Sequence, residues 1–186
     1  MMFLRTLFAI GFLVAPGFAQ AQTNRNPRPL PPPEVNRTVD AMKGTWLGQM
    51  TANVPGYPAE TFDWKMVCTT IAEGAGVSCA NSGKASIGVV AESCLLAFDP
   101  DGKAVHYMCV TSMGEVHDHK GHWTDASTIK FEPLRAGMMG ESVTETLEWR
   151  FPEANTIIKT SDIKLANGTS MHFEFRGSRG RLPNIK

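Results

Sequence analysis

The chain has 186 residues, and its 18 lysines and arginines balance its 18 aspartates and glutamates. This neutral balance, without a basic cluster, argues against binding to nucleic acid and against strong attraction to anionic membranes.

The first 21 residues have the pattern of a secretory signal peptide. Arg5 precedes an apolar run from Thr6 to Val14, and Ala19-Gln20-Ala21 matches the small-residue cleavage motif. The apolar run is too short for a membrane span, and no later run is long enough. The sequence therefore predicts export, to the periplasm or the medium, with no transmembrane segment in a mature chain that starts near Gln22.

Residues 22–34 are rich in proline and polar side chains, so we expect an extended linker. The linker is either a spacer after the signal peptide or an arm that a partner protein binds. Val35, Val39 and Met42 then follow at helical spacing, which predicts one short amphipathic helix at the start of a domain over residues 35–186.

From Thr45 onward, short β-rich runs alternate with clusters of Gly, Pro, Asn and Asp. The predicted strands are Thr45–Thr51, Thr61–Thr70, Gly76–Lys84, Val89–Phe98, Ala104–Thr111, Glu115–Trp123, Thr128–Glu132, Ser142–Phe151, Thr156–Leu165 and Ser170–Arg176. Tight turns between them indicate an antiparallel meander, and closure would remove its edges. The predicted fold is therefore all-β: a single antiparallel up-and-down β-barrel of about ten strands with a short N-terminal helix.

A turn signal places the first two cysteines opposite each other. Folding the chain about Glu73-Gly74 brings Cys68 opposite Cys79. An exported chain with an even number of cysteines is expected to form disulfides. We therefore predict a bridge between these two residues.

A second, independent turn signal does the same for the other two cysteines. Folding about Asp101-Gly102 brings Cys94 opposite Cys109, which predicts the second disulfide. If the strands between are in register, all four cysteines form one row across four strands. A four-cysteine zinc site is the alternative, although the sequence has no C-x-x-C spacing.

The stretch EVHDHKGHWTD, Glu115 to Asp125, contains three of the five histidines. Because side chains alternate along a strand, His117 and His119 share a face with Trp123, and His122 points the other way. If that face lines the interior, these residues are candidate ligand contacts; if it faces outward, they are surface residues.

A turn centred on Met113-Gly114 would extend this set to a third histidine. It places His119 opposite Met108, with His106 diagonally beside His119. Three imidazoles and a water molecule are a common zinc environment. His106, His117 and His119 are therefore the predicted metal ligands.

The connection from Phe131 to Ser142 contains Met138 and Met139 between two glycines. It is either a mobile lid that presents the two thioethers to an apolar ligand or an ordinary turn. The sequence contains no G-x-S-x-G, phosphate-loop or H-E-x-x-H motif, which favours a binding protein over an enzyme.

The stretch MKGTWLGQM contains Gly44-x-Trp46, which resembles the opening of calycin barrels. The longer Gly44-x-Trp46-x-Gly48 resembles nitrobindin-like haem barrels and the bacterial lipocalin-like secreted domains related to them, although Gln49-Met50 stands where nitrobindins have further glycines. The resemblance implies that His172, near the C-terminus, is the candidate haem ligand. It also implies that Arg176 packs across Trp46 as a cation–π contact, which makes both structural.

These observations predict an exported barrel that holds a small, mostly apolar ligand in its lumen. Two alternatives stay open. One is a metal- or haem-binding barrel, since the sequence names no resident cofactor but allows a zinc-like ion or a haem. The other is an accessory domain whose proline-rich arm binds a partner.

Overall fold

The computed structural model of the chain describes residues 32–99, 103–138 and 140–180. Within these ranges, helix α1 spans Pro33–Met42 and is followed by strands. The strands are β1 Gly44–Asn53, β2 Glu60–Ile71, β3 Gly76–Ala85, β4 Gly88–Asp99, β5 Ala104–Thr111, β6 Val116–Trp123, β7 Thr128–Met138, β8 Glu141–Ser142, β9 Thr144–Glu153, β10 Thr156–Lys164 and β11 Ser170–Arg179. The predicted signal peptide and residues 22–31 of the predicted linker lie outside the described residues, whereas Pro33 and Glu34 already belong to α1.

Ten of these strands form a closed antiparallel barrel. Neighbours in the chain pair with one another from β1 to β7 and from β9 to β11, and β1 also pairs with β11. The β7–β9 pairing completes the ring, and the two-residue β8 is added to the end of β7. The predicted all-β up-and-down barrel with a short N-terminal helix is confirmed. None of the helical residues that the structure describes form a segment long and apolar enough to cross a membrane.

The four cysteines form one row on the inner face of β2, β3, β4 and β5. Cys68 lies opposite Cys79, Cys79 opposite Cys94, and Cys94 opposite Cys109. Disulfides join Cys68 to Cys79 and Cys94 to Cys109, with sequence separations of 11 and 15. The predicted row and the predicted pairing are confirmed, and no free thiol is left for a four-cysteine zinc site.

Helix α1 closes one end of the barrel. Its residues Val35, Val39 and Met42 are buried, in agreement with the predicted apolar face. Trp46, fully buried at the start of β1, donates a hydrogen bond from Nε1 to the carbonyl oxygen of Met42 at 2.9 Å. This bond joins the end of the helix to the first strand.

The arginine that covers Trp46 is Arg179, and the prediction of Arg176 is wrong. The guanidinium of Arg179 lies 4.4 Å from the centre of the Trp46 ring. Its Nη2 also donates to the carbonyl oxygens of Asp40 and Ala41 at 3.0 and 2.8 Å. Arg176 is exposed on the outer face, where it pairs with the neighbouring carboxylate of Glu174 at 2.5 Å.

Backbone geometry explains why both positions of the first-strand motif are glycines. Gly44 has a φ of +116°, a conformation that residues with a side chain rarely adopt. At Gly48, an added Cβ would lie 1.9 Å from the carbonyl oxygen of Arg176 on β11. Glycine there lets the first and last strands approach each other, which closes the barrel.

The segment Phe131–Ser142 was predicted to be a connection, either a mobile lid or an ordinary turn, but most of it is strand. β7 continues to Met138 and pairs with β6, with a register shift between Asp118 and His119 that accommodates one extra residue of β7. Met138 is buried and contributes to the inner wall of the barrel. Met139 lies outside the described residues.

Candidate functional site

The barrel contains a cavity of about 530 Å³ at the end opposite α1. The loops after β1, β3 and β5 surround its mouth, where the exposed side chains of Tyr57, Ile87 and Met113 lie. Its wall is mainly apolar, and the apolar residues that line it include Met50, Phe62, Trp64, Val90, Leu147, Ile163, Met171, Phe173 and Phe175. Sites for small molecules typically have volumes of about 300–1,000 Å³, so the cavity has a suitable size.

A buried polar cluster interrupts this apolar wall. His117 and His119 of β6 and Glu145 of β9 all line the cavity, and each is less than one-tenth exposed. The Oε2 atom of Glu145 lies 2.7 Å from Nδ1 of His117 and 2.9 Å from Nε2 of His119. A single carboxylate oxygen thus accepts hydrogen bonds from both imidazoles.

Strand alternation explains why these three side chains meet. His117 and His119 are two residues apart on β6, so both point inward, and their rings are stacked with an interplanar angle of 6°. Glu145 is in phase with Leu147 and Trp149, which are the buried residues of β9. The cluster therefore combines two strands that β7 separates in the barrel.

Two further hydrogen-bonding groups orient the cluster. Ser161 on β10 donates from Oγ to Oε1 of Glu145 at 2.6 Å. On the other side, Oε2 of Glu115 lies 3.5 Å from Nε2 of His117 and accepts a hydrogen bond from Oγ1 of Thr111 at 3.2 Å. The carboxylates of Glu145 and Glu115 are thereby held in place beside the histidines.

The protonation of the cluster follows from competition between burial and charge. Burial lowers the pKa of His117, but hydrogen bonds to the carboxylates of Glu115 and Glu145 outweigh it and raise that pKa to about 10. Burial likewise raises the pKa of Glu145, but the two histidines and Ser161 outweigh it, so the pKa lies well below its ordinary value. At neutral pH the pair is a buried imidazolium and carboxylate.

A lysine lies near the cluster in the same cavity. The Nζ of Lys159 on β10 lies 4.6 Å from the ring centre of Trp149 and 5.7 Å from that of Tyr107. Burial lowers its pKa, and the negative charges of Glu92 and Glu145 partly oppose this shift. Lys159, the two histidines and Glu145 thus provide polar groups in the wall of the cavity.

The structure brings two of the three predicted metal ligands together, and the inclusion of His106 is wrong. His106 pairs across the ladder with Lys120, and its ring contacts Asp118 on the outer face. The backbone N–H of Thr111 donates to the carbonyl oxygen of Glu115, so the turn between these two residues has three residues, Ser112–Gly114, and not two. The register of β5 and β6 therefore differs by one residue from the predicted one. His119 therefore lies opposite Tyr107, not opposite Met108.

Two predicted ligand contacts lie away from the cavity. His172 is on the outer face of β11, where its Nδ1 lies 2.7 Å from Oδ1 of Asp162, so it cannot reach a haem in the lumen. Trp123 packs beneath α1, with Nε1 donating to Oγ1 of Thr38 at 3.0 Å and the guanidinium of Arg37 over its ring. The prediction that these two side chains contact a ligand in the lumen is wrong.

Glu145 and Lys159 were not predicted from the sequence to line the lumen. Each carries a charge at an inward position of its strand, in phase with buried apolar neighbours such as Leu147 for Glu145 and Ile157 for Lys159. A charged residue at a strand position that alternation places on the apolar, inward face is the signal that would have identified both.

No protein-family model and no curated protein matches the sequence. Solved structures do match the fold. The crystal structure of Rv2717c from M. tuberculosis has a TM-score of 0.62 at 12% sequence identity, over 79% of this chain and 98% of that chain. The S-type phycobiliprotein lyase CPES from Guillardia theta has a TM-score of 0.56 at 13% identity, over 80% of this chain and 94% of that chain.

At these identities the likeness defines the fold alone. Both structures match nearly over their full length, so the similarity extends to the barrel as a whole. The shared fold is a closed antiparallel β-barrel, the architecture that the Gly44-x-Trp46 resemblance implied.

Proposed function

We propose that the chain is an exported binding protein that holds a small, mostly apolar ligand in the lumen of its barrel. The observation that carries this proposal is the cavity of about 530 Å³ with its mainly apolar wall. Burial of apolar ligand surface in such a cavity contributes about 25 cal/mol for each Å² removed from water. The fold shared with a phycobiliprotein lyase supports small-molecule binding in general.

The composition of the wall limits the kind of ligand. Apolar side chains provide most of the contact surface, and the polar lining residues include His117, Glu145 and Lys159. A ligand with an apolar body and one polar group would match both parts of this wall. We propose binding as the role, and not catalysis, because the sequence lacks the nucleophile and phosphate-loop motifs of enzymes.

Export is the second part of the proposal. It is supported by the signal-peptide pattern of residues 1–21 and by the two disulfides, which persist in oxidising compartments. Both the periplasm and the extracellular medium meet this condition.

Native mass spectrometry of the protein purified gently from the exported fraction of its host tests both parts. We expect a chain that begins near Gln22, with a mass four hydrogens below that of the reduced form and an additional small-molecule mass. Extraction and fragmentation would then establish whether that molecule is apolar. A chain that retains residues 1–21 would contradict export, and a bound molecule that is mostly charged would contradict the proposed ligand class.

A further inference from the structure

We propose that His117, His119 and Glu145 form a binding site for one divalent transition-metal ion of the zinc type on the wall of the lumen. The ion would keep an open coordination position toward the cavity, because all three residues line it. This inference goes beyond the proposed function and does not require that the lumen hold an apolar ligand.

The donor atoms already have nearly the separations that an ion needs. One ligand atom from each residue lies within 4.8 Å of the other two, and the two N···O distances are 2.7 and 2.9 Å. In a tetrahedral site with bonds of about 2.0–2.1 Å, the donor atoms lie about 3.3 Å apart. Each of the two N···O distances would have to lengthen by about half an ångström to admit the ion.

The donor set is one that zinc and similar ions prefer. Neutral imidazole nitrogens and a carboxylate oxygen bind zinc, copper, nickel and iron, whereas calcium and magnesium prefer oxygen donors alone. Two histidines and one carboxylate, with a further position open, are a common ligand set for ions that exchange water or another small ligand.

The charges in the lumen also favour a bound cation. Among the described residues that line the cavity, Glu60, Glu92, Glu115 and Glu145 are acidic, whereas Lys159 is the one lysine or arginine. In an apolar cavity such an excess of carboxylates is costly unless cations or protons offset it. A divalent ion at the cluster would reduce this excess.

The groups behind the ligands resemble an outer coordination shell. Ser161 hydrogen-bonds the Glu145 oxygen that does not face the histidines, and Glu115 lies behind the far nitrogen of His117. Metal-bound histidines commonly have a carboxylate in this position, which fixes the ring and strengthens the ligand.

The outer face of the barrel provides a matched control. His106 and Asp118 form a histidine–carboxylate pair on the neighbouring strands β5 and β6. This pair is partly exposed to solvent and offers a metal ion two ligand atoms instead of three. His172 and Asp162 form a similar exposed pair.

The test is a titration of the mature, chelator-stripped protein with Co²⁺, followed by displacement with Zn²⁺. We expect visible absorption of a four- or five-coordinate Co²⁺ ion that saturates at one ion per chain and disappears when Zn²⁺ is added. Glu145→Gln and His117→Gln should weaken binding at least tenfold, whereas His106→Gln should leave it unchanged. Circular dichroism checks that each variant is folded.

An NMR measurement on the wild type tests the metal site even if the variants fail to fold. Addition of Zn²⁺ should shift the ring resonances of His117 and His119 and leave those of His106 and His172 unchanged. Absence of a saturable Co²⁺ spectrum, or equal binding by Glu145→Gln, would overturn the proposal, as would Zn²⁺ shifts confined to the outer histidines. An apolar dye measured in the same samples reports on the lumen separately, so either proposal can fail without the other.

Discussion

The Nδ1 atom of His117 lies 2.7 Å from Oε2 of Glu145 in the wall of an otherwise apolar lumen. The two residues are 28 positions apart in the sequence, and both are less than one-tenth exposed. A buried imidazolium–carboxylate pair of this kind links the protonation of the lumen to the stability of the barrel.

The pair should give metal-free protein a stability maximum in mildly acidic solution. The pKa of His117 rises from 6.5 to about 10 on folding, so its contribution is complete below the unfolded value and is lost as pH rises between 6.5 and 10. The pKa of Glu145 falls from 4.5, so its contribution is present above that value and is lost as pH decreases below it.

Urea unfolding in a chelating buffer at several pH values would measure this dependence. We expect the free energy of unfolding to fall by at least about 1 kcal/mol between pH 6 and pH 9, equivalent to roughly one pKa unit. Glu145→Gln should flatten this alkaline decline. A wild-type profile that is flat from pH 6 to pH 9 would contradict the pairing.

Arg179, and not Arg176, should stabilise the closed end of the barrel. Arg179→Ala removes the cation–π contact to Trp46 and the hydrogen bonds to the end of α1. We expect a loss of about 1–3 kcal/mol for Arg179→Ala and of less than about 0.5 kcal/mol for the exposed Arg176→Ala. Thermal unfolding of the two variants compares them directly, and equal effects would count against this arrangement.

Each disulfide should contribute to the stability of the barrel. Replacing Cys68 and Cys79 together by alanine should cost about 2–4 kcal/mol, and replacing Cys94 and Cys109 should cost a similar amount because the loops have similar lengths. Denaturant unfolding of both double variants measures this. Peptide mapping without reduction should recover only the two pairs within hairpins, and a Cys79–Cys94 linkage would contradict the structure.

Gly48 should be intolerant of any side chain. In Gly48→Ala the new Cβ would collide with the backbone of β11, 1.9 Å from the carbonyl oxygen of Arg176. We expect a loss of more than about 2 kcal/mol, or failure to fold, because the strands at this seam must separate. The outward-facing neighbour gives the control: Gln49→Ala should cost less than about 1 kcal/mol.

The sequence predicted those features that depend on short turns and strand alternation. The turns at Glu73-Gly74 and Asp101-Gly102 were sufficient to derive the register of the cysteine strands, and with it both disulfides. Helix α1 could be predicted because Val35, Val39 and Met42, at positions i, i+4 and i+7, fall on one face of a helix.

The histidine cluster was predicted only in part because one loop is a residue longer than expected. Gly114 has a φ of +79° and ends a three-residue loop, so the centre of the hairpin moves to Met113. This shift left His117 and His119 on one face but placed His106 on the other. Loop length cannot be read reliably from sequence where Ser, Met and Gly can all occupy turn positions.

The long-range contacts could not be derived from local sequence. Glu145 meets the histidines only because the barrel closes through β7, and this closure depends on the whole sheet. The error over Arg176 has a simpler cause: Arg179 lies three residues further along, so the two side chains point to opposite faces of β11.

Binding of a neutral apolar dye, N-phenyl-1-naphthylamine, would show whether the lumen holds an apolar ligand. The fluorescence titration would compare the wild type with Ala52→Trp, which places a large side chain in the lumen, and with Ala80→Trp, which adds the same side chain to the outer face. We predict saturable binding of one dye per chain to the wild type and to Ala80→Trp, and binding at least tenfold weaker to Ala52→Trp. Absence of saturable binding to the folded wild type, or equal affinity in all three proteins, would contradict a ligand-binding lumen.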